Sequence, residues 1–436
     1  MNGITNALKE VTNKHAPIRK TSNAQQRLLK KPWLSKGLLL SIKRRQKMFK
    51  SHFLSRDSEK VNQYKRYNNK LNKLKELAKK KYFIAQFNLY KQNIKATWGL
   101  IDAKQDICDK LNSHFINVGP DFAAQIPDCN DKNPVQFIRR SFKDSFMFRA
   151  ICVHEVRHML YGLKTNKSSI DIPQKCIKLA ADHISDVLTA VFNNSLEQGI
   201  MPDILKISRI TPVDKGGDIT DPSNFRPIST LYSFAQIFEK LVYSQILGYL
   251  EKHNILSKFQ FGFRKGRSTE HAIVEITDNF KKAIDKNLYT CGVFLDFSKA
   301  FDTVNHQILL KKLEAYGIRG TPLEWFTNYL TNRQQYVSLN NLESPKQTIT
   351  CGIPQGSSLG PLLFLIYIND MPNCLSKLSF RIFADDTNIF ASSSSITDLE
   401  TLINEELTKI KEWCDINKLS IDVKKTNYMI IKSARK

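Results

Sequence analysis

Apolar positions along this chain follow two regimes: steps of three and four residues that predict helices, and short continuous runs between turn residues that predict strands. From Leu38 to Tyr90 the chain is rich in Lys and poor in Gly and Pro. Tyr64, Tyr67, Leu71, Leu74 and Ala78 step along one face there, predicting a long helix or a helical pair. A loop is expected through Asn117-Val-Gly-Pro120 and from Pro127 to Pro134. Helical spacing returns at Val153, Val156, Met159 and Leu160, and again from Ile177 to Leu196. Short runs then take over. Ile207 to Val213 reads as a strand entering the glycine turn Asp214-Lys-Gly-Gly-Asp218, and Ser233 to Lys252 reads as a helix.

The second half alternates the two patterns. Cys291 to Leu295 is a buried strand, and Gln307 to Tyr316 is a helix that Gly317 stops. Thr321-Pro-Leu-Glu324 has the pattern of a capping box, with Trp325, Phe326 and Leu330 inward. Gln335 to Leu339 and Gln347 to Cys351 suggest a hairpin about Asn340-Asn341. An apolar helix is expected from Leu362 to Ile368, a tight strand-turn-strand from Arg381 to Phe390, and a second capping signal at Thr397-Asp-Leu-Glu400. Strand, helix, hairpin, helix, strand describes an α+β palm, an antiparallel sheet backed by helices.

Three carboxylates stand at the ends of these buried strands. Asp296 closes the run Cys291-Gly-Val-Phe-Leu, and Asp385 and Asp386 sit at the crest of the strand-turn-strand. Apolar flanks make such acids costly to ionise unless cations offset their charge. A pair of divalent ions about 3.5–4 Å apart would do so and would serve phosphoryl transfer. An Asp-Asp dipeptide on its own is usually a solvated turn; the order of the surrounding elements is what points to chemistry. Between the acids lies Gly352-Ile-Pro-Gln-Gly-Ser-Ser-Leu-Gly-Pro361, a loop whose backbone can approach a base pair closely, or an ordinary Gly/Pro turn.

Charge adds a partner to this picture. The 436 residues carry a net +25, and the first 100 hold most of it, with 19 Lys and 6 Arg against 4 acidic residues. Such a block attracts polyanions, nucleic acid first among them, although a solvated helix face has the same composition. The eight cysteines form no C-x-x-C pair, which argues against a zinc ribbon. No signal-peptide core and no run of ~20 apolar residues is present, so an intracellular protein without a membrane span is expected. His154-Glu-Val-Arg-His158 matches the zinc-protease pattern H-E-x-x-H, but Met159 to Lys164 brings no third ligand.

Five ordered motifs resemble the reverse transcriptases of non-LTR (LINE-type) retrotransposons, the jockey and CR1-like groups nearest. They are Phe225-Arg-Pro-Ile-Ser229, Gln260-Phe-Gly-Phe-Arg264, Phe294-Leu-Asp-Phe-Ser-Lys-Ala-Phe-Asp-Thr-Val304, Gly352-Ile-Pro-Gln-Gly356 and Phe383-Ala-Asp-Asp386. The resemblance implies a right-hand polymerase: a basic helical arm over 1–100, a helical extension of the fingers over 101–190, and fingers and palm over 191–436. It implies RNA-directed DNA synthesis with two Mg²⁺ ions, Mn²⁺ as a substitute, held by Asp296 and Asp385 with Asp386 completing the cluster. By the same resemblance Lys215 and Arg226 neutralise the triphosphate, and Phe297 touches the incoming nucleotide through its backbone. Phe301 excludes a ribose 2′-hydroxyl, Gln355 and Gly356 steady the template base or nucleotide, and Lys425 acts near the pyrophosphate. Asp422 stands where the family's fourth palm motif usually has Asn.

The resemblance implies an RNA template, a DNA primer or target and dNTP as partners, and a ribonucleoprotein with its own transcript, in nucleus or cytoplasm. The chain opens on the basic region and stops at Lys436, so neither the family's endonuclease nor its thumb is expected. Two other classes fit the same residues: a catalytically silent nucleic-acid-binding remnant, and an RNA-templated RNA polymerase.

Overall fold

The computed structural model describes residues 34–51, 58–90, 104–127, 129, 131–164, 169–170, 172–216, 221–339 and 342–433. The first third of the basic arm, the Gly217-Asp218 end of the glycine turn and the Asn340-Asn341 corner lie outside them. The chain divides into two compact units, one within Val11–Lys104 and the other from Gln105 onward.

The first unit is a helical pair, α1 (Lys36–Ser51) and α2 (Ser58–Tyr90). Leu34, Ile42 and Leu71 form its small core, with Leu38, Leu39 and Tyr67 packed against it. α1 has no acidic residue in its first turn and carries Lys43, Arg44, Arg45 and Lys47 along its length. Lys43, Arg44, Lys47, Lys65, Arg66, Lys70 and Lys73 are exposed on the pair, beside the exposed apolar side chains of Leu40, Phe49, Leu74 and Leu77.

The second unit begins with α3 (Lys104–Ala124), α4 (Val153–Tyr161), α5 (Gln174–Leu179) and α6 (Ala181–Gln198). The loop expected at Asn117–Pro120 is instead the last part of α3. Proline inside a helix costs ~3 kcal/mol, and here tertiary packing outweighs it. Cys108 and Leu111 of α3 bury against Ile210 and Val337 of a sheet. Gly119 is an approach point, because a Cβ there would meet the Asp302 carbonyl oxygen at 2.3 Å.

That sheet contains β1 (Ile207–Asp214), β2 (Phe225–Leu231), β4 (Gln334–Leu339), β5 (Leu342–Glu343) and β6 (Gln347–Thr348). β1 runs antiparallel to β2 and parallel to β4. The expected hairpin is therefore only partly realised: its return strand is broken into β5 and β6, and the first strand also joins β1. Ser344 accounts for the break, since its backbone N–H reaches the Val337 carbonyl at 2.9 Å while its Oγ accepts from the Val337 N–H. Pro345, which has no N–H to offer a ladder, follows at once.

The second sheet has the order β7-β8-β3-β9, every pair antiparallel, from β3 (Tyr289–Leu295), β7 (Ser379–Phe383), β8 (Asp386–Ser393) and β9 (Asn427–Ile431). Two helices back it. α8 (Thr269–Asp285) lays Phe280 over Gly292, where no side chain intervenes, and edge-on against Phe390. α12 (Ile396–Ile416) buries Leu399, Ile403, Ile410 and Trp413. α8 had no counterpart in the sequence reading, although Ser268 caps it and Ala272, Phe280 and Ala283 share its buried face.

Four more helices fill out the core, α7 (Ser233–Lys252), α9 (His306–Ala315), α10 (Thr321–Leu330) and α11 (Gly360–Ile368). Both capping expectations shift by a residue or two. α10 is capped by Gly320, which puts Thr321 inside the helix with no cap hydrogen bond, and α12 is capped by the Ser395 hydroxyl accepting from Asp398. α11 is buried nearly all round, as a helix at the centre of a large core must be.

One buried ion pair ties this core together. Lys312 of α9 is fully buried, and its Nζ lies 2.6 Å from Asp370 Oδ1 and 2.6 Å from the Tyr367 carbonyl. The ammonium also sits 4.9 Å from the Trp413 ring centre, so α9, α11 and α12 meet on one charge. Asp370→Ala would strand that ammonium without a counter-charge. The expected loss of stability is about 3–5 kcal/mol, measured as a lowered urea midpoint.

Candidate active site

β3 and β8 pair with Leu295 opposite Thr387, and β7 and β8 pair with Phe383 opposite Asp386. Ala384 and Asp385 are therefore the two residues of a tight hairpin turn, and Ala384 takes φ +57°. A two-residue turn matching strand twist demands positive φ at its first central position, which glycine usually fills. The register brings the Asp385-Asp386 crest to the strand end that Asp296 closes. Asp296, Asp386 and Lys425 line one cavity of about 320 Å³, floored by Phe294 and Phe383.

The electrostatics of this edge are those of crowded, partly dehydrated anions. Burial first, then Asp386 and Asp296, hold the Asp385 carboxyl above the usual range, and burial with Asp296 does the same to Asp386. Lys425 relieves part of the repulsion, its Nζ 3.5 Å from Asp296 Oδ1 and 3.1 Å from Asp422 Oδ2. Its segment is tied to the strand end by an Asp422 N–H to Asp296 carbonyl bond of 2.8 Å and by the Phe297–Ile421 bridge. Among the described residues no group of three or more His, Cys, Asp or Glu side chains is arranged to hold a metal ion as it stands. The donor set still fits a hard divalent cation, because it offers only carboxylate oxygens, crowded together and incompletely neutralised.

A second cluster is cationic. Lys215, just past β1, and Lys299, in the turn after β3, both donate to the Ser223 carbonyl, at 2.9 and 3.4 Å. Partial desolvation, then Lys299 and Arg226, bring the Lys215 ammonium down to about 8. Arg226 lies opposite Val213 in the β1–β2 ladder. Three cations, none of them ion-paired to a carboxylate among the described residues, form a ready site for a polyanion. Lys299 was missed in the sequence; its signal was its place two residues before Phe301.

Gln355 and Phe301 stand on a common support. Gln355 Nε2 donates to Asp302 Oδ1 at 2.8 Å, and its carbonyl accepts from Ser229 N at 2.8 Å. Gly356 follows at φ +117°, where a Cβ would meet the Ser229 carbonyl at 2.6 Å. The loop is anchored from behind by the buried Glu239, which accepts from Ser358 N at 2.7 Å and from the Tyr329 hydroxyl at 2.8 Å. Phe301 stacks one ring face on Phe364 at 4.6 Å and meets the half-exposed Phe263 edge-on, so it is partly buried rather than sealed in the core. Phe297, by contrast, is buried, leaving its backbone as the part that can reach a ligand.

The H-E-x-x-H motif has a structural explanation. Glu155 caps its own helix through the Cys152 N–H and pairs with Arg149 at 2.5 Å, which pulls its carboxyl down to about 2. His154 and His158 are exposed one turn apart.

An all-antiparallel sheet with an acidic hairpin crest, joined to a loop-borne cation cluster, has the layout of a nucleic-acid polymerase palm with fingers. Residues 213–435 match the family described as reverse transcriptase (RNA-dependent DNA polymerase), and the chain belongs to that family. The RNA-directed DNA polymerase from mobile element jockey of Drosophila melanogaster is 28% identical over 69% of this chain and 34% of its own length. In the same organism, the probable RNA-directed DNA polymerases from transposon BS and transposon X-element are 30% and 31% identical over 65% and 55% of this chain, and over 32% and 27% of their own lengths. The likeness to non-LTR elements is borne out by these relatives. The chain spans about a third of the length of the curated relatives it matches. Among the described residues no helix is long and apolar enough to cross a membrane.

Asp302 supplies a pH test of this site. Burial raises its carboxyl to about 6, against the hydrogen bond from Gln355 and the fields of Lys299 and Lys215. Because the folded value lies above the unfolded one, folding takes up a proton here. The group's contribution favours the fold as pH falls from about 6 towards 4, and it is lost as pH rises through 6. Asp302→Asn should flatten that part of the stability curve, read as the difference between wild-type and variant unfolding at pH 4.5 and 7.

Proposed function

We propose that this chain carries out RNA-directed DNA synthesis, joining a dNTP to a primer 3′-hydroxyl on an RNA template. The observation that carries the proposal is the meeting of Asp296, Asp385 and Asp386 at one strand end, within a chain of the reverse transcriptase family. Asp296 and Asp385 would hold divalent cations, Mg²⁺ or Mn²⁺, with Asp386 adding negative charge. Bound there, a metal pair supplies an activated hydroxyl and neutralises the charge that develops on the transferring phosphate.

The chain's own residues do the rest. Lys215, Arg226 and Lys299 draw the triphosphate to the fingers as point charges and a bidentate fork. Phe301, braced by Phe364, stands under the sugar and excludes the 2′-hydroxyl. Gln355, its amide turned by Asp302, meets the template base or nucleotide, and Gly356 lets the backbone approach. Lys425, between Asp296 and Asp422, donates a proton near the departing pyrophosphate. The basic pair α1 and α2 binds nucleic acid through counterion release, and a ribonucleoprotein with its own transcript is the assembly this supports.

Primer extension on poly(rA)/oligo(dT) with Mg²⁺ tests the reading. Asp385→Asn is expected to lower incorporation at least 100-fold, by analogy with the loss of other transition-state charge partners, whereas Glu155→Gln keeps it. Equal incorporation by wild type and Asp385→Asn rules the site out. Phe301→Ala should erase most of the preference for dNTP over rNTP, read as the ratio of kcat/KM values; an unchanged ratio favours a polymerase that does not select its sugar here.

A further inference from the structure

The turn that carries Asp385 is held from outside its own hairpin. Phe259 to Gly262 run alongside β7, with the Phe261 N–H donating to the Ile382 carbonyl at 2.7 Å and the Ile382 N–H to the Phe259 carbonyl at 2.9 Å. From this loop the Gln260 side chain turns inward and is buried. Its Oε1 accepts from Ala384 N at 3.0 Å and from Gly262 N at 2.8 Å, and its Nε2 donates to the Ala384 carbonyl at 3.4 Å. Gly262 makes the approach possible, since a Cβ there would lie 2.2 Å from Ala384 N. Arg267 braces the loop through the Gln260 carbonyl at 3.1 Å and lies over the Phe261 ring.

Glycine's conformational freedom is absent at this turn: Ala384 is a non-glycine residue at φ +57°, a conformation that L-residues adopt only at a cost. One side chain bonding both its N–H and its C=O fixes that peptide against relaxing. Asp385 and Asp386 follow directly, so the orientation of their carboxylates depends on it.

We propose that Gln260 is a positioning residue, whose buried amide holds the Ala384-Asp385 turn in the shape at which Asp385 and Asp386 close with Asp296 on a divalent cation. This rests on the metal-dependent reading of the site. Partners outside the ligand shell typically govern metal affinity by 10- to 100-fold, and an amide gripping the ligand-bearing turn belongs with them.

Mn²⁺ binding to the full chain, followed by electron paramagnetic resonance of the free ion, tests the proposal without relying on turnover. Gln260→Met, which keeps the volume and loses both hydrogen-bonding ends, is expected to weaken binding about tenfold. Ala384→Gly in that background is expected to restore most of the loss, because glycine adopts positive φ without the clamp. Should Gln260→Met fail to fold, Gly262→Ala serves the same comparison by pushing the loop off the turn, with the same tenfold weakening expected. Wild-type affinity in both clamp variants, beside a loss in Asp385→Asn, overturns the clamp and leaves the metal site standing. A Gln260→Met loss that Ala384→Gly does not relieve also overturns it. Wild-type affinity in Asp385→Asn instead overturns the metal reading itself.

Discussion

The second sheet of this protein exists around a repulsion. Asp296, Asp385 and Asp386 gather at one strand end, where burial disfavours the ionised forms of Asp385 and Asp386 and the charge of Asp296 adds to the cost for both. An arrangement of that kind persists only when the backbone beneath it is over-determined. Antiparallel ladders on both sides of β3, a two-residue turn, and the apolar faces of α8 and α12 supply the rigidity. Lys425, 3.5 Å from Asp296 Oδ1, answers part of that repulsion.

Around this acidic edge the structure repeats one device: a loop or turn is gripped from behind by a buried polar side chain. Glu239 holds the loop of Gln355 and Gly356, Asp302 turns the Gln355 amide, and Gln260 grips the turn of Asp385. Each holder sits on a different element from the loop it holds. Buried polar groups of this sort are costly unless fully bonded, so they restrict the loops to few geometries. Glycines at 119, 262 and 356 allow the close approaches that the grips require.

Much of this was legible in the chain. Periodicity placed the helical pair, α7, α11 and the strands bearing the acids close to where they lie, because each of these segments buries a face whose spacing shows in the residues themselves. Helix caps were less legible: α10 starts after Gly320 with no side-chain cap, and α12 after Ser395, whose hydroxyl accepts from Asp398 N, each one or two residues ahead of the capping pattern. α8 escaped notice because it follows directly on a basic, glycine-containing loop, and the end of α3 was read as a loop because a Gly-Pro pair usually ends a helix.

Sequence alone determined the kinds of residue available: three acids at strand ends, a phenylalanine after the first of them, a glutamine between glycines, and a basic arm. Those follow from local composition and spacing, which act over a few residues. Only the tertiary structure decided that Lys299 joins Lys215 and Arg226, that β1 runs parallel to β4, and that the Gln260 amide reaches across to Ala384. Such contacts join positions dozens to more than a hundred residues apart, and what selects them is the closure of one core and the bonding of buried polar groups such as Gln260 and Glu239 within it.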